Sequence, residues 1–361
     1  MTHTHSSASD SELDAFFNGA IERFNEIRRC IDSSTKRVEL AGRKIEIIVA
    51  GEALSHVMRP LNCETASNRS SPELTICAWE GSGPEQAPTL PWHPSAQADS
   101  IGLKTSRFHM NYHAPSGLLC MWDQQTGQAI YWIEKVCDLP YWEIASPCRI
   151  LFHWWAQSWG AQLAHAAAVG VDGRGLLLVG KSGSGKSTTS LACIRQGMEF
   201  IGDDYVLLTA GLVPTAHRLY SSAKLHADTL ARYFPEWKSF VAARVGPQRK
   251  CVVYVDDLRG LNVESNLEVH AVVMPVVTGD AYPTLSPTAV SQTWLALVPS
   301  TMFQLPDSRE TSLAFFSTFT RRLPSYRLST GRDVQLIPEA IRTFLKTQLP
   351  HDWQKSEVKD V

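Results

Sequence analysis

The first regular pattern in the sequence is a stripe of apolar residues that recur every three or four positions between residues 11 and 31. This period predicts an amphipathic α-helix, because positions three and four apart share one helical face. Ser9, Asp10 or Ser11 is suited to cap its first turn. Acidic and basic residues mix on the opposite face, which favours packing on a protein core over a membrane anchor. The stripe comprises Leu13, Phe16, Phe17, Ala20, Ile21, Phe24, Ile27 and Ile31.

From about residue 36 to residue 145 the period changes to two, which is typical of β-strands. Short alternating segments flank turn-forming residues at 41–42 and at 123–127, and each arrangement predicts a hairpin. Residues 59–73 and 82–100 are rich in Pro, Ser, Asn and Gly and are predicted to be loops. This part of the chain is therefore expected to form an antiparallel β-region.

The pattern then changes to alternating strands and helices. A serine and a proline at 146–147 are suited to open a helix that Gly160 would end. Residues 163–169 and 175–179 predict two strands joined by a tight turn, and residues 186–196 predict a helix. Further strands are predicted at 200–208, 251–255, 267–277 and 333–337, and further helices at 225–234, 310–321 and 338–349.

The change of pattern near residue 145 predicts a domain boundary. With 361 residues the chain is long enough for two domains. We expect an N-terminal helix and antiparallel β-region over 1–145 that recognises a substrate or partner, a nucleotide-binding catalytic domain over 146–350, and a loose tail over 351–361. The predicted fold class is α/β, in detail α+β.

Charge and composition limit the classes of partner that the protein is expected to bind. The formal net charge is −2 and the pI is about 6.6, and no cluster of Lys and Arg forms a basic surface for nucleic acid. No apolar stretch reaches the roughly 18–20 residues that would cross a membrane, and the N-terminus lacks the features of a secretory signal. The eight cysteines are scattered without a C-x-x-C pair, so buried reduced thiols are predicted. We expect a cytoplasmic protein with no nucleic-acid or membrane partner.

Residues 180–187 read Gly-Lys-Ser-Gly-Ser-Gly-Lys-Ser and fit the phosphate-binding pattern G-x-x-x-x-G-K-[ST]. An apolar strand precedes the loop and a helical pattern follows it, which distinguishes it from a glycine-rich turn that binds nothing. Glycines let backbone N–H groups point inward, and the helix N-terminus adds partial positive charge, so the main chain can hold polyphosphate. The residues predicted to bind ATP are Gly180, Ser182, Gly183, Ser184, Gly185, Lys186, Ser187 and Thr188.

Two pairs of residues supply the candidate chemistry beside this loop. Lys186 would neutralise the β- and γ-phosphates of ATP, and Ser187 would bind Mg²⁺. Asp203 and Asp204 are adjacent acids 17 and 18 positions after Lys186 in the sequence. Phosphoryl transfer needs carboxylates to hold Mg²⁺ and to accept the proton of an attacking hydroxyl, and adjacent acids could divide these tasks. From spacing alone, an ordinary solvated turn explains the acid pair equally well.

The order of the motifs resembles the catalytic domain of HPr kinase/phosphorylase. It is most similar to a smaller HPr-kinase-related group that includes kinases of peptide natural-product pathways. The close resemblance spans about residues 163–208. Its segments are His165-Ala-Ala-Ala-Val, the phosphate loop, Arg195-Gln-Gly197 and Gly202-Asp-Asp204.

The resemblance implies a kinase that uses ATP and Mg²⁺ to phosphorylate a serine hydroxyl of a protein or peptide. It also implies the fold shared with phosphoenolpyruvate carboxykinase. By motif position, Asp204 would take the serine proton, Asp203 would support the metal and the His165 ring, and Ser187 would bind Mg²⁺. A serine hydroxyl is a poor nucleophile at neutral pH, so a nearby base is required. The oligomeric state is left open, a homo-oligomer included.

Several departures from the family pattern limit what the resemblance implies. The segment Ile-Glu-Ile-Arg-Gly-Leu-Gly of the HPr enzyme has only a partial match, at residues 257–261. Asp256 or Asp257 would replace the acidic metal ligand of that segment. A pyrophosphate-dependent reverse reaction is therefore not expected. Thr188 stands where the family has Glu. The first 145 residues do not resemble the N-terminal domain of that enzyme, so HPr itself is not the expected substrate.

Two other functions stay open at this point. The unusual N-terminal β-region is compatible with a nucleotide-binding regulatory or assembly module that has no transfer activity. Kinship with phosphoenolpyruvate carboxykinase leaves decarboxylation of a keto acid as a third hypothesis. The cation that would stabilise transition-state charge is not determined by the sequence. Its candidates are Arg244, Arg249, Lys250 and Arg259.

Overall fold

The computed structural model describes residues 9–61, 71–83, 85–90, 100–247, 249–305 and 309–349, and the backbone of 3–5 and 64–65. The chain divides into two compact units, Met1–Trp159 and Gly160–Val361. The predicted tail over 351–361, Cys63, and much of the predicted loops 59–73 and 82–100 lie outside the described residues. The predicted α/β class, in detail α+β, is confirmed by the elements below.

The first unit is built on a nine-stranded sheet with the strand order β1-β6-β7-β8-β9-β5-β3-β2-β4. Its strands are β1 (His3–His5), β2 (Ser33–Leu40), β3 (Arg43–Ala50), β4 (Glu64–Thr65), β5 (Leu74–Glu80), β6 (Ser100–Lys104), β7 (Phe108–His113), β8 (Leu118–Asp123) and β9 (Gln128–Ile133). Its helices are α1 (Asp10–Cys30), α2 (Glu52–Val57), α3 (Tyr141–Ala145) and α4 (Arg149–Ser158), with 3₁₀ turns at Ala114–Ser116 and Val136–Asp138.

Both hairpins predicted in this unit are confirmed, but the sheet is mixed rather than antiparallel throughout. Strands β2 and β3 pair antiparallel, as do β8 and β9. Strand β5, however, runs parallel to both of its neighbours, β3 and β9, and β1 runs parallel to β6. Long crossovers rather than tight turns join β3 to β5 and β5 to β9, and such connections permit parallel pairing. The sequence pattern of period two does not distinguish the two directions.

Helix α1 packs its apolar stripe on the sheet, as its period predicts. Ser9 caps the helix through a capping box, in which its side chain accepts from the Glu12 N–H and the Glu12 carboxylate accepts from the Ser9 N–H. Phe24 is fully buried, with its ring centroid 5.5 Å from that of Trp79 in β5. Phe17 lies 5.8 Å from Phe108 in the same way. These contacts fix the helix over one face of the sheet.

The boundary between the units lies after Trp159, whereas the sequence predicts it after residue 145. Helix α4 belongs to the first unit because Trp154 packs against His109 of β7, with 5.4 Å between ring centroids. The predicted helix opening at 146–147 is also wrong. The N–H of Cys148 donates to the buried Glu143 carboxylate at 3.0 Å, and Cys148 adopts a left-handed conformation (φ 58°), so the chain breaks between α3 and α4.

The second unit is built on a sheet with the order β10-β14-β15-β19-β12-β11-β13, extended by β21 beside β19 and β20 beside β21, and on a three-stranded sheet β16-β18-β17. Its strands are β10 (Ala161–Ala164), β11 (Ala167–Val171), β12 (Arg174–Leu178), β13 (Glu199–Gly202), β14 (Val206–Thr209), β15 (Thr215–His217), β16 (Ser222–Leu225), β17 (Val241–Val245), β18 (Lys250–Tyr254), β19 (Asn266–Val276), β20 (Thr284–Pro287) and β21 (Ser325–Ser329). Its helices are α5 (Lys186–Arg195), α6 (Ala227–Tyr233), α7 (Val290–Met302), α8 (Arg309–Arg321) and α9 (Ile337–Thr347), with 3₁₀ turns at Pro235–Phe240, Val255–Asp257 and Val334–Leu336.

Apolar clusters cover both faces of the large sheet of the second unit. One cluster joins the sheet to α5, α9 and the three-stranded sheet, and the other joins it to α7 and α8. Strand β12 lies inside the sheet, parallel to β19 and antiparallel to β11. Its residues are buried on both faces, which explains the continuous apolar run before the phosphate loop.

Three strand predictions in the second unit are wrong. The predicted strand 200–208 is two strands, β13 and β14, because the chain turns at residues 203–205, where the Tyr205 N–H donates to the Asp203 carbonyl at 2.9 Å. The predicted strand 163–169 is two strands, β10 and β11, because the chain turns at His165 and Ala166, where the Ala166 N–H donates to the Ala164 carbonyl at 2.9 Å. The predicted strand 333–337 is a 3₁₀ turn leading into α9, since the Asp333 carboxylate accepts from the Gln335 N–H at 2.9 Å. Strand β21 was not predicted.

The cysteines agree with the prediction of buried reduced thiols in part. The seven cysteines in the described ranges are all free thiols, but Cys30 and Cys137 are exposed rather than buried. Across the part of the chain with described structure, no helix combines the length and apolar character needed to cross a membrane.

The packing of α1 yields a stability prediction. Replacing Phe24 by Ala removes a fully buried ring from the contact with Trp79 and should lower the free energy of unfolding of the first unit by about 3–5 kcal/mol. Urea unfolding followed by tryptophan fluorescence measures this loss. Replacing the exposed Glu22 of the same helix by Ala is the matched control and should change the free energy by less than about 0.5 kcal/mol. Equal effects of the two substitutions would contradict the packing of α1.

Candidate phosphate-binding site

The loop between β12 and α5 has the backbone shape that its glycines predict. Gly180, Gly183 and Gly185 adopt φ values of 156°, 82° and 102°, which L side chains rarely adopt. A Cβ at Gly180 would also lie 2.4 Å from the Ser184 hydroxyl, so the loop closes tightly there. Gly185 precedes the first residue of α5, and the N-terminal N–H groups of that helix face the loop end.

Lys186 begins α5 and folds back over the loop. Its side chain is buried, and Nζ donates to the carbonyl oxygen of Gly180 at 2.5 Å and to that of Lys181 at 3.4 Å. Burial lowers the pKa of Lys186, while the carboxylates of Asp203 and Asp204 act against this change. The structure therefore places the predicted phosphate-binding lysine between the loop and the acid pair.

The acid pair occupies the tight turn between β13 and β14. Asp204 has a left-handed backbone (φ 72°), and the Tyr205 N–H donates to the Asp203 carbonyl at 2.9 Å. Asparagine and aspartate tolerate this conformation better than other residues with side chains. The turn directs the two adjacent carboxylates to different partners.

Asp203 faces helix α5. Its carboxylate accepts from the Ser187 hydroxyl and, at 3.5 Å, from the Ser190 hydroxyl, and it accepts from the Lys224 N–H at 3.2 Å. Burial raises the pKa of Asp203, and repulsion from the Asp204 carboxylate raises it further, although these hydrogen bonds and the Lys186 ammonium act in the opposite direction. The two predicted Mg²⁺ ligands, Ser187 and Asp203, are therefore in contact.

Asp204 accepts from two donors. One carboxylate oxygen lies 2.6 Å from Nζ of Lys224, and the other lies 3.3 Å from Nε2 of His165. Burial acts to raise the pKa of Asp204, but the Lys224 ammonium and the His165 ring together hold that pKa well below its ordinary value. Asp204 is consequently an anion at neutral pH.

His165 lies at the turn between β10 and β11 and is held in one tautomer. The Tyr205 hydroxyl donates to Oε1 of Gln304 at 2.6 Å, so the amide nitrogen of Gln304 faces Nδ1 of His165 at 3.0 Å. An amide nitrogen can only donate, which makes Nδ1 the acceptor and leaves the ring proton on Nε2, facing Asp204. Burial lowers the pKa of His165, so the ring is neutral at pH 7. His165 thus contacts Asp204 and not Asp203, which corrects the partner implied by the family resemblance.

Lys224 is a site residue that the sequence reasoning missed. It lies in β16 of the three-stranded sheet and holds both acids, Asp203 through its backbone N–H and Asp204 through its ammonium. No motif contains it. The available signal was a lysine within a strand whose other residues are buried, because a cation in that setting needs a partner.

The remaining predicted residues divide into those near the loop and those elsewhere. Ser182 and Gly183 are exposed on the loop, and Thr188 is half-buried in the first turn of α5. The Ser184 hydroxyl is buried, and no hydrogen-bond partner for it is found within the described ranges. Asp256 forms an ion pair with Arg218 rather than joining the acid pair. Over the described part of the chain, no three His, Cys, Asp or Glu side chains gather as a metal site.

The residues present fit a nucleotide with Mg²⁺. The positive φ values of three glycines open the loop for backbone contacts with phosphate, and the buried Ser184 hydroxyl is a donor that a phosphate oxygen could satisfy. The Ser187 hydroxyl and the Asp203 carboxylate are hard oxygen donors, which Mg²⁺ prefers.

The opposite environments of the two acids yield a second prediction. Asp204→Asn should lower the free energy of unfolding at pH 7 by about 3–5 kcal/mol, because it leaves the Lys224 ammonium without its counter-ion. Asp203→Asn should instead stabilise the protein, because it removes repulsion from Asp204 and the cost of burying a second anion. Thermal and urea unfolding of the two variants measure these opposite signs.

The pH dependence of this comparison follows from the directions of the two pKa shifts. The stability that Asp204 supplies is complete above its ordinary pKa of about 4 and is lost as the pH falls toward its lowered folded pKa. The penalty from Asp203 grows as the pH rises through its raised folded pKa. The advantage of Asp203→Asn should therefore be larger at pH 8 than at pH 3, which lies below the ordinary pKa of about 4, and a constant or reversed difference would contradict the assignment.

Comparison with known proteins agrees with this site. Residues 159–223 match the model of the HPr Serine kinase C-terminal domain. No curated protein matches the chain. Among solved structures, the chain is similar to the HPr(Ser) kinase/phosphatase from Coxiella burnetii, with 16% identity and a TM-score of 0.28, over 50% of this chain and 95% of that one. The matched segment contains His165, the phosphate loop and the acid pair. The predicted resemblance to the HPr kinase family is confirmed over residues 159–223.

Proposed function

We propose that this protein is a kinase that transfers the terminal phosphoryl group of ATP to a serine hydroxyl of a protein or peptide. The observation that carries the proposal is the division of the acid pair. Asp203 contacts Ser187 at the start of α5, and Asp204 contacts His165 and Lys224. In this proposal Asp203 holds a metal at the phosphate loop, and Asp204, held by His165 and Lys224, accepts from the substrate hydroxyl.

In this proposal the loop and α5 bind the nucleotide. Backbone N–H groups of 180–187 and the Lys186 ammonium hold the phosphates, and Ser187 and Asp203 hold Mg²⁺. When bound, Mg²⁺ neutralises charge on the phosphate oxygens. Lys186 exchanges its hydrogen bonds with the Gly180 and Lys181 carbonyls for bonds with phosphate oxygens.

Asp204 accepts the proton of the attacking serine. The serine oxygen forms a bond to the γ-phosphorus, the bond from that phosphorus to the β,γ-bridging oxygen breaks, and ADP leaves with the electron pair. Because Lys224 holds the pKa of Asp204 low, Asp204 is a weak base. A loose transition state needs little proton removal before the phosphorus–oxygen bond breaks, so Asp204 first orients the hydroxyl and takes its proton late in the transfer.

His165 and Lys224 are positioning residues in this mechanism. Gln304 fixes the tautomer of His165, whose Nε2–H orients one oxygen of Asp204. Lys224 orients the other oxygen and keeps the carboxylate ionised.

In the same proposal, the first unit recognises the substrate chain. The protein acts in the cytoplasm.

The first test of the proposed function is replacement of the base. Asp204→Asn should reduce the rate of phosphoryl transfer from labelled ATP to a serine peptide by about 10²–10⁴-fold, because an amide cannot accept the proton. The control is Asp172→Asn, an exposed turn residue that also has a left-handed backbone (φ 55°) and should keep the wild-type rate. An Asp204→Asn protein with the wild-type rate would show that Asp204 is not the base.

The same assay distinguishes the proposed kinase from a nucleotide-binding module that has no transfer activity. Candidate substrates are the peptides and proteins encoded beside this one, incubated with the wild-type protein, Mg²⁺ and labelled ATP. Tight ATP binding with no phosphorylated product would favour a nucleotide-binding regulatory or assembly module and would contradict the kinase proposal.

A further prediction concerns Lys224 and the pH profile of transfer. Lys224→Met removes the ammonium that offsets the burial of Asp204, so the pKa of Asp204 should rise and activity should fall at low pH. A new acidic limb in kcat/KM, absent from the wild type, is the expected result. Lys224→Arg keeps the charge and should restore most of the wild-type profile. If Lys224→Met loses activity equally at every pH, Lys224 has only a structural role.

A further inference from the structure

The sequence leaves four candidates for a cation that stabilises charge during transfer, and their contacts in the structure differ. Arg244 donates to the Cys251 sulfur at 3.3 Å, within the three-stranded sheet. Arg249 and Arg259 are exposed, and no contact with the phosphate loop is found for either among the described residues. Lys250 alone of the four makes a described hydrogen bond to the loop.

Lys250 begins strand β18 and lies beside the loop. Its Nζ donates to the Ser182 hydroxyl at 3.2 Å, and its side chain is half-buried. Ser182 itself is exposed on the loop, between Lys181 and Gly183. The three-stranded sheet thus supplies a cation to the loop through β18, in addition to supplying Lys224 to the acid pair through β16.

The charges around the loop are not balanced. The ammonium groups of Lys224 and Lys250 each lie close enough to that of Lys186 to repel it. The carboxylates opposing them there are those of Asp203 and Asp204, and Asp204 is already paired with Lys224. An additional anion beside Lys186 and Lys250 would offset this repulsion, and a terminal phosphate carries that charge.

We propose that Lys250 is a phosphate-binding residue that contacts the terminal phosphate of ATP and stabilises the charge on the transferring group. It would exchange its hydrogen bond with Ser182 for one with a phosphate oxygen. This inference rests on the proposed function, because it assigns the ligand to the same loop. It names a residue outside the matched segment 159–223.

The test measures binding rather than catalysis. Affinities for a non-hydrolysable ATP analogue and for ADP, each with Mg²⁺, are determined by isothermal titration calorimetry for the wild type, Lys250→Met and Lys250→Arg. Lys250→Met should weaken binding of the analogue by about 10-fold or more, the loss of one charge-assisted hydrogen bond, and should leave ADP affinity within about 2-fold. Lys250→Arg keeps the charge and should recover most of the loss.

Lys346→Met is the matched control, since Lys346 is an exposed lysine on α9, and it should bind both nucleotides as the wild type does. Unchanged ADP binding also shows that Lys250→Met is folded. If Lys250→Met weakens the binding of the analogue and of ADP equally, Lys250 supports the shape of the loop through Ser182 and does not contact the terminal phosphate. If it weakens the binding of neither, Lys250 lies outside the site. Either result overturns the proposal. A wild-type protein that binds ATP but transfers no phosphate refutes the kinase function, whereas the discrimination between ATP and ADP still decides the role of Lys250.

Discussion

Asp203 and Asp204 are adjacent and largely buried carboxylates, and their mutual repulsion must be offset for the site to fold. One residue of a separate sheet contacts both acids. The backbone N–H of Lys224 binds Asp203, and its ammonium binds Asp204 at 2.6 Å. Burial and repulsion from Asp204 raise the pKa of Asp203, whereas the Lys224 ammonium and the His165 ring hold the pKa of Asp204 low. That asymmetry allows two neighbouring, chemically identical side chains to serve different roles.

The same constraint explains several irregular features of the second unit. The turn at His165 interrupts what the apolar pattern predicts as one strand, and it brings the imidazole to Asp204. Gln304, which follows α7, fixes the ring from the opposite nitrogen, and Tyr205 fixes the amide of Gln304. The left-handed backbone of Asp204 turns its side chain away from that of its neighbour. Each local departure from regular structure therefore contributes to the environment of one carboxylate.

How much of the fold and of the site the sequence predicts depends on how far apart in the sequence the interacting residues lie. Helix α1, both hairpins of the first unit and the phosphate loop with α5 are encoded by patterns a few residues long, and the sequence predicts them. The sequence also predicts Ser187 and Asp203 as ligands of one Mg²⁺, and their side chains are in contact. Lys224 and Gln304 lie in no motif. Lys224 reaches the acid pair through pairing of distant strands, and Gln304 reaches His165 from the end of α7. The parallel neighbours of β5 and the attachment of α4 to the first unit escaped prediction for the same reason.

Lys186 hydrogen-bonds to two carbonyls of the loop that precedes it, so the loop is braced by one of its own side chains. This internal tether supports the left-handed backbone at Gly183 and Gly185, so the main-chain groups are already ordered without a bound anion. Under the proposed function, nucleotide binding requires rotation of the Lys186 and Lys250 side chains, and the conformational entropy of the whole segment is not lost at that step. Each lysine would exchange one oxygen partner for another.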